Sequence, residues 1–137
     1  MFEVVVVGAD GSPTARRAVE AAAEIAQMSG GQLHIVSAYE PGGRRGTSPD
    51  ESENDGDVAA VLQVLSALAK GRGVDASTHA IEGDPAEVIN NTAAELGADL
   101  IVVGNRGMKG VRRVLGSVPN SVAHGAPCSV IIVDTTE

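Results

Sequence analysis

Gly104-Asn105-Arg106-Gly107, separated by eight residues from Gly116-Ser117-Val118-Pro119, sets glycines, a cation and a hydroxyl into one connector. That combination suits a phosphate. Glycine lets the main chain approach a ligand with no Cβ in the way, and successive free N–H groups can then converge on phosphate oxygens. Ser117 adds a hydroxyl and opens a helical stretch through about Ala123, which puts its N–H at the positive end of a helix dipole. Just before the connector, Leu100-Ile101-Val102-Val103 is short, apolar and rich in β-branched residues, as expected of a parallel strand buried on both faces. The connector therefore leaves the carboxyl edge of a sheet. A competing reading is a glycine-rich turn with a solvated basic face; the preceding strand and the following Gly-Ser favour the cradle.

Charge separates this segment from the rest of the chain. Ten Lys and Arg stand against eighteen Asp and Glu, a net charge of −8 that argues against nucleic acid or an anionic membrane as partner. No acid occurs between Asp99 and Asp134, and Arg106, Lys109, Arg112 and Arg113 all fall in that window. Salt screens exposed charges beyond roughly 8 Å, so a small anion there responds to these cations more than to distant acids.

The chemistry on offer is binding rather than catalysis. A P-loop carries Gly-Lys-Ser/Thr in one loop, and Gly116-Ser117 lacks the lysine between; the dinucleotide fingerprint GxGxxG is missing too. Ser117 and His124 lie two helical turns apart on one segment with no strained serine turn, so with Asp10 they make a poor triad. No general base or water-positioning group stands out, and at most slow ATP hydrolysis is expected. His34, His79 and His124 have no metal-ligand spacing and are expected at the surface or at a strand edge. The single cysteine, Cys128, excludes an internal disulfide; it is expected to pack as a small hydrophobe, with a reactive thiol as the alternative.

The elements that must position the connector alternate along the chain. Glu3 to Val7 reads as a strand ending at Gly8, and Ser12-Pro13 offers an N-cap with proline at the first helical position. Ala15, Ala18, Val19, Ala22, Ile25 and Ala26 then recur at helical spacing until Gly30-Gly31. Leu33 to Tyr39 is the second strand, and residues 40–57 read as a flexible surface loop of Gly, Pro, Ser and acids. Val58, Val61, Leu62, Leu65, Leu68 and Ala69 mark a second helix closed by Gly71 and Gly73. Asp75 to Ile81 is a half-polar strand suited to a sheet edge. Gly83-Asp84-Pro85 caps a third helix lined by Val88, Ile89, Thr92, Ala93 and Leu96 up to Gly97, and Cys128 to Val133 is the fifth strand.

Such alternation predicts one α/β domain over residues 1–137, a doubly wound five-stranded parallel sheet with helices on both faces. With strand order 3-2-1-4-5, a ligand binds where the order reverses, in the crevice beyond the carboxyl ends of strands one and four. Its walls are then Gly8-Ala9-Asp10-Gly11 and Gly104 to Gly107. Asp10 is the carboxylate in that crevice, and it can accept from a ribose or adenine, reach a phosphate-bound divalent ion, or cap the helix beside Ser12. Phe2 and Tyr39 are poor material for a nucleic-acid stacking platform. No apolar run approaches the ~20 residues that cross a bilayer and no signal peptide is evident, so a cytoplasmic protein is expected.

At these residues the chain resembles the universal stress protein family. The matches are Gly8-Ala9-Asp10-Gly11-Ser12, Gly83-Asp84-Pro85 and the segment from Gly104 to Pro119, and they cover nearly the whole chain. The resemblance implies a homodimeric α/β protein of stress response or signalling that binds ATP; Mg can accompany ATP through Asp10. Carried onto this sequence, it implies Ala9, Asp10 and Ala38 on the adenine and ribose side. The loop side is Gly104, Gly107, Gly116, Ser117 and Val118, to which the charge of Arg106 adds a nucleotide contact read from the sequence itself. One departure stands out: Met108 to Leu115 is eight residues, where the family pattern has nine. A single deletion turns a helix by about 100°, which bears on the phosphates and not on the adenine. Some short family members with this Gly-Asn and Gly-Ser-Val-Pro pattern look like binders of cyclic AMP, so cyclic AMP or AMP is the nearest alternative ligand. A dimeric interaction module without nucleotide is the alternative of a different class. The dimer is expected through strand five, Cys128 to Val133, whose apolar edge invites aggregation unless a second copy covers it.

Overall fold

A computed structural model describes residues 2–10, 14–39, 55–105 and 118–135. Its elements are β1 (Val4–Gly8), α1 (Ala15–Ser29), β2 (Gln32–Tyr39), α2 (Asp55–Gly71), β3 (Ala76–Glu82), α3 (Pro85–Leu96), β4 (Leu100–Gly104), α4 (Val118–Gly125) and β5 (Ser129–Val133). The strands form one sheet in the order β3-β2-β1-β4-β5 with all neighbours parallel. The expected α/β architecture and strand order are both present, and half-polar β3 occupies an edge.

Two cores follow from alternation along the central strands. Val5, Val7, Leu33, Ile35, Leu100 and Val102 point to the layer of α1 and α2, while Val6, Val36, Ile101 and Val103 point to that of α3 and α4. Val5, Val6, Val7, Leu100, Ile101 and Val102 are all fully buried. That double burial is why these runs are continuously apolar instead of alternating. Ala18, Ala22, Ala23 and Ala26 of α1 are buried as well; small side chains allow the helix to lie close on the sheet.

Helix boundaries show which sequence signals act. Asp84 caps α3 by accepting from the Glu87 N–H at 3.2 Å, Pro85 begins it, and Gly97 ends it with φ of 68°, a left-handed conformation that favours glycine. The Ser12-Pro13 start expected for α1 lies outside the described residues, among which the helix opens at Ala15 after Thr14. The expected loop of 40–57 needs correction at its far end, because α2 already begins at Asp55. Acidic residues are as compatible with a first helical turn as with a loop, so composition alone does not separate the two. Residues 40–54 lie outside the described residues.

Asp99, immediately before β4, anchors the start of β1. Its carboxylate accepts from the N–H groups of Glu3 and Val4 at 3.0 and 3.1 Å, while its own N–H donates to the Val4 carbonyl at 3.0 Å. The bond from the Glu3 N–H is the largest of several effects that hold this carboxyl below the usual range.

His34 corrects another expectation: it is not a surface residue but 9 % exposed, within the sheet. Its Nδ1 lies 3.0 Å from Nε2 of His79 and its Nε2 lies 3.2 Å from Oε1 of Gln32. With Gln32 accepting, the proton of His34 sits on Nε2, and Nδ1 accepts from His79. Burial first, and the neighbouring His79 second, lower the His34 pKa below its ordinary 6.5. The folded state therefore binds fewer protons than the unfolded chain just below pH 6.5, and stability falls as pH drops from 6.5 through the lowered pKa. We expect the melting temperature to decline between pH 7.5 and 5.5, and the decline to shrink in His34→Gln, as read by circular dichroism. An equal decline in both proteins would assign it to other groups.

Cys128 packs against the second core at intermediate exposure. Burial, and to a lesser degree the charge of Asp99, push its thiol pKa up, which keeps it protonated and a poor nucleophile near neutrality. Iodoacetamide at pH 7.5 should label folded protein more than about tenfold more slowly than denatured protein, by mass spectrometry. Equal rates would contradict the packing.

Candidate functional site

The carboxyl ends of β1 and β4 diverge into a crevice of roughly 730 Å³, counted with the space open to solvent at its mouth. The space left once open solvent is set aside is smaller, about 170 Å³ among the described residues. The strands supply the floor: Gly8, Ala9 and Asp10 from the end of β1, Val36 and Ala38 from β2, and Val103 and Gly104 from β4. Thr14, Ala15 and Ala18 close one side, Pro85 and Ile89 of α3 another, and Val118 and Pro119 of α4 a third. Three helices thus begin at the rim, and helix starts carry the positive end of the dipole.

Local bonds fix these walls. The Ala9 N–H donates to the Val36 carbonyl at 3.0 Å, carrying the β1–β2 ladder one residue past β1. A Cβ at Gly8 would collide with the side chain of Ile89, so glycine there is what lets α3 close over the strand end. At Gly104 a Cβ would meet the methyl of Thr135 at 2.9 Å. The surface of the crevice is mostly aliphatic, and Asp10 stands exposed at its rim.

Ala9, Asp10, Ala38, Gly104 and Val118, five residues named from the sequence, come together in this one crevice. Arg106, Gly107, Gly116 and Ser117 lie outside the described residues, as do Gly11, Lys109, Arg112 and Arg113. Gly104, next to Asn105, the last described residue before this segment, and Val118, the first described residue after it, both line the crevice. Sequence reasoning missed Thr14, Ala15, Ala18, Val36, Pro85, Ile89, Val103 and Pro119 as walls. For Pro85 a signal existed, since Gly83-Asp84-Pro85 carried the family resemblance, but it read only as a helix cap. Among the described residues, no three His, Cys, Asp or Glu side chains come together to hold a metal ion. A nucleotide-borne Mg ion would need less, because phosphates supply most of the oxygens and one or two carboxylates suffice; among the described residues Asp10 is the carboxylate that lines the crevice.

Comparison with known proteins agrees with the fold. The model of the universal stress protein family matches residues 1–134. Universal stress protein Rv1636 of Mycobacterium tuberculosis H37Rv is 39% identical over 145 aligned positions, covering 98% of this chain and 98% of the relative. Universal stress protein YxiE of Bacillus subtilis is 32% identical, covering 97% and 99%. Among solved structures, a universal stress protein in complex with cAMP superposes with a TM-score of 0.83 at 36% identity, over 98% of each chain. A universal stress protein from Archaeoglobus fulgidus in complex with dAMP superposes with a TM-score of 0.76 at 26% identity, over 97% of this chain and 98% of that one. No helix among the described residues is long and apolar enough to cross a membrane. With its family model matched almost end to end and its fold shared across these relatives, the chain belongs to the universal stress protein family.

Proposed function

We propose that this protein binds an adenine nucleotide in the crevice between β1 and β4 and acts through its bound state in stress response or signalling. The observation that carries the proposal is the convergence of Ala9, Asp10, Ala38, Gly104 and Val118 on one cavity at the reversal of strand order. Its aliphatic walls suit a flat base, and Asp10 at the rim suits a ribose hydroxyl or a nucleotide-borne Mg ion. The glycine loop read from the sequence, with Arg106, Gly107, Gly116 and Ser117, supplies the phosphate side. ATP is the reading that follows from the family pattern. Cyclic AMP is favoured by a separate observation, the likeness to a relative solved with cAMP, and the loop shortened by one residue points the same way.

The protein is further proposed to be a cytoplasmic homodimer joined through β5, and a binder whose hydrolysis of ATP is slow at most. Mass spectrometry of denatured, freshly purified protein tests the nucleotide reading: a co-purifying adenine nucleotide is expected. Protein without one, and with no heat on titration with ATP, cyclic AMP or AMP, would leave the nucleotide-free interaction module instead.

A further inference from the structure

The residue that leaves β4 is held by the tail that leaves β5. The Asn105 N–H donates to the Val133 carbonyl at 2.9 Å, and the Asn105 side-chain amide donates to an Asp134 carboxylate oxygen at 3.2 Å. The side-chain oxygen of Asn105 accepts from both the N–H and the hydroxyl of Thr135, at 2.9 and 3.0 Å. Four bonds converge on one residue. Thr135 is only 1 % exposed, and its methyl packs where a Cβ of residue 104 would otherwise stand. Gly104 lines the crevice, so Thr135 backs the wall that a ligand touches.

We propose that Asn105 is a positioning residue for the nucleotide, acting through Thr135, and that a ligand in the crevice in turn tightens this latch; the proposal rests on the nucleotide reading above. Glycine has much backbone freedom to lose, and fixing Asn105 beside Gly104 at four points removes part of it before the ligand arrives. Linkage makes the effect mutual: a ligand that prefers the latched arrangement must stabilise it. The latch also ties the crevice to the end of β5, so events at that strand reach the site through Asn105.

The test combines calorimetry with cyclic AMP and AMP on the full chain, Asn105→Ala, Thr135→Val and Thr135→Ser with amide hydrogen exchange at Thr135. Asn105→Ala and Thr135→Val are expected to weaken binding at least about fivefold, and Thr135→Ser to restore it, at the lower end of known coupling. Saturating nucleotide should slow exchange of the Thr135 amide in the parent and not in Asn105→Ala. A merely structural role would lower the melting temperature without ligand-dependent protection. If Asn105→Ala fails to fold, the Thr135 pair decides. Equal affinities in all folded variants with unchanged exchange would overturn the latch and leave nucleotide binding standing. A parent that binds neither nucleotide would overturn both.

Discussion

Phenylalanine at position 38 should weaken adenine nucleotide binding at least about a hundredfold, equivalent to ~2.7 kcal/mol. Ala38 lies near the carboxyl end of β2, half-buried, with its methyl in the crevice wall. A ring there competes directly for the space assigned to the base. The cost to folding is smaller, because a side chain turned into an open crevice avoids most of the ~1–3 kcal/mol of overpacking in a closed core. Valine at Gly107 tests the phosphate side of the same site, where a branched side chain would block approach of the main chain. By contrast Arg112→Ala removes one charge read as solvated, worth at most ~1 kcal/mol. Calorimetry with cyclic AMP, ATP and GTP separates these variants; loss in Arg112→Ala as large as in Ala38→Phe would mean that charge, and not the crevice, governs binding.

The second large effect is expected at the open edge of β5, where Ile132→Pro should convert the proposed dimer to monomer. Because the Val133 carbonyl accepts from Asn105 on the β4 side, alternation turns the N–H of Ile131 toward β4 as well and leaves those of Val130 and Ile132 facing outward. Proline at 132 therefore removes a donor only from the open edge, where proline is tolerated within a strand. Ile131→Pro would break the β4–β5 ladder itself and leave a carbonyl of β4 without its donor, a loss of about 1–3 kcal/mol in stability. Ile132 is 40% exposed in the single chain, the kind of apolar edge that a second copy covers. Sedimentation should show a dimer for the parent and a folded monomer for Ile132→Pro; an unchanged dimer would place the interface elsewhere.

The parts of this molecule that sequence made legible are those in which local chemistry and tertiary structure agree. Val4–Gly8 and Leu100–Gly104 are buried on both faces and read as apolar runs, and Asp84-Pro85 with Gly97 announces both ends of α3 because caps are short-range. What stayed hidden depends on contacts between distant residues. His34 looks like an edge histidine until β2 is placed inside the sheet with β3 beyond it. Asn105 and Thr135 are 30 residues apart, and nothing in either local sequence announces the latch. Pro85 and Ile89 became crevice walls only once α3 was packed over Gly8. The start of α2 at Asp55 was obscured because acidic residues occur in loops and at helix starts alike. Gly104 shows a mixed case: its type was legible as close approach, yet the group that approaches it in the structure is Thr135.

Titration of nucleotide-free protein with cyclic AMP, beside Ala38→Phe under the same conditions, tests the central claim most directly. The account predicts one saturable site per chain in the parent and at least about a hundredfold weaker binding in the variant, with both proteins folded. Binding of equal strength in parent and variant would contradict a site between β1 and β4, and the absence of binding to cyclic AMP, ATP and AMP alike would contradict an adenine nucleotide function.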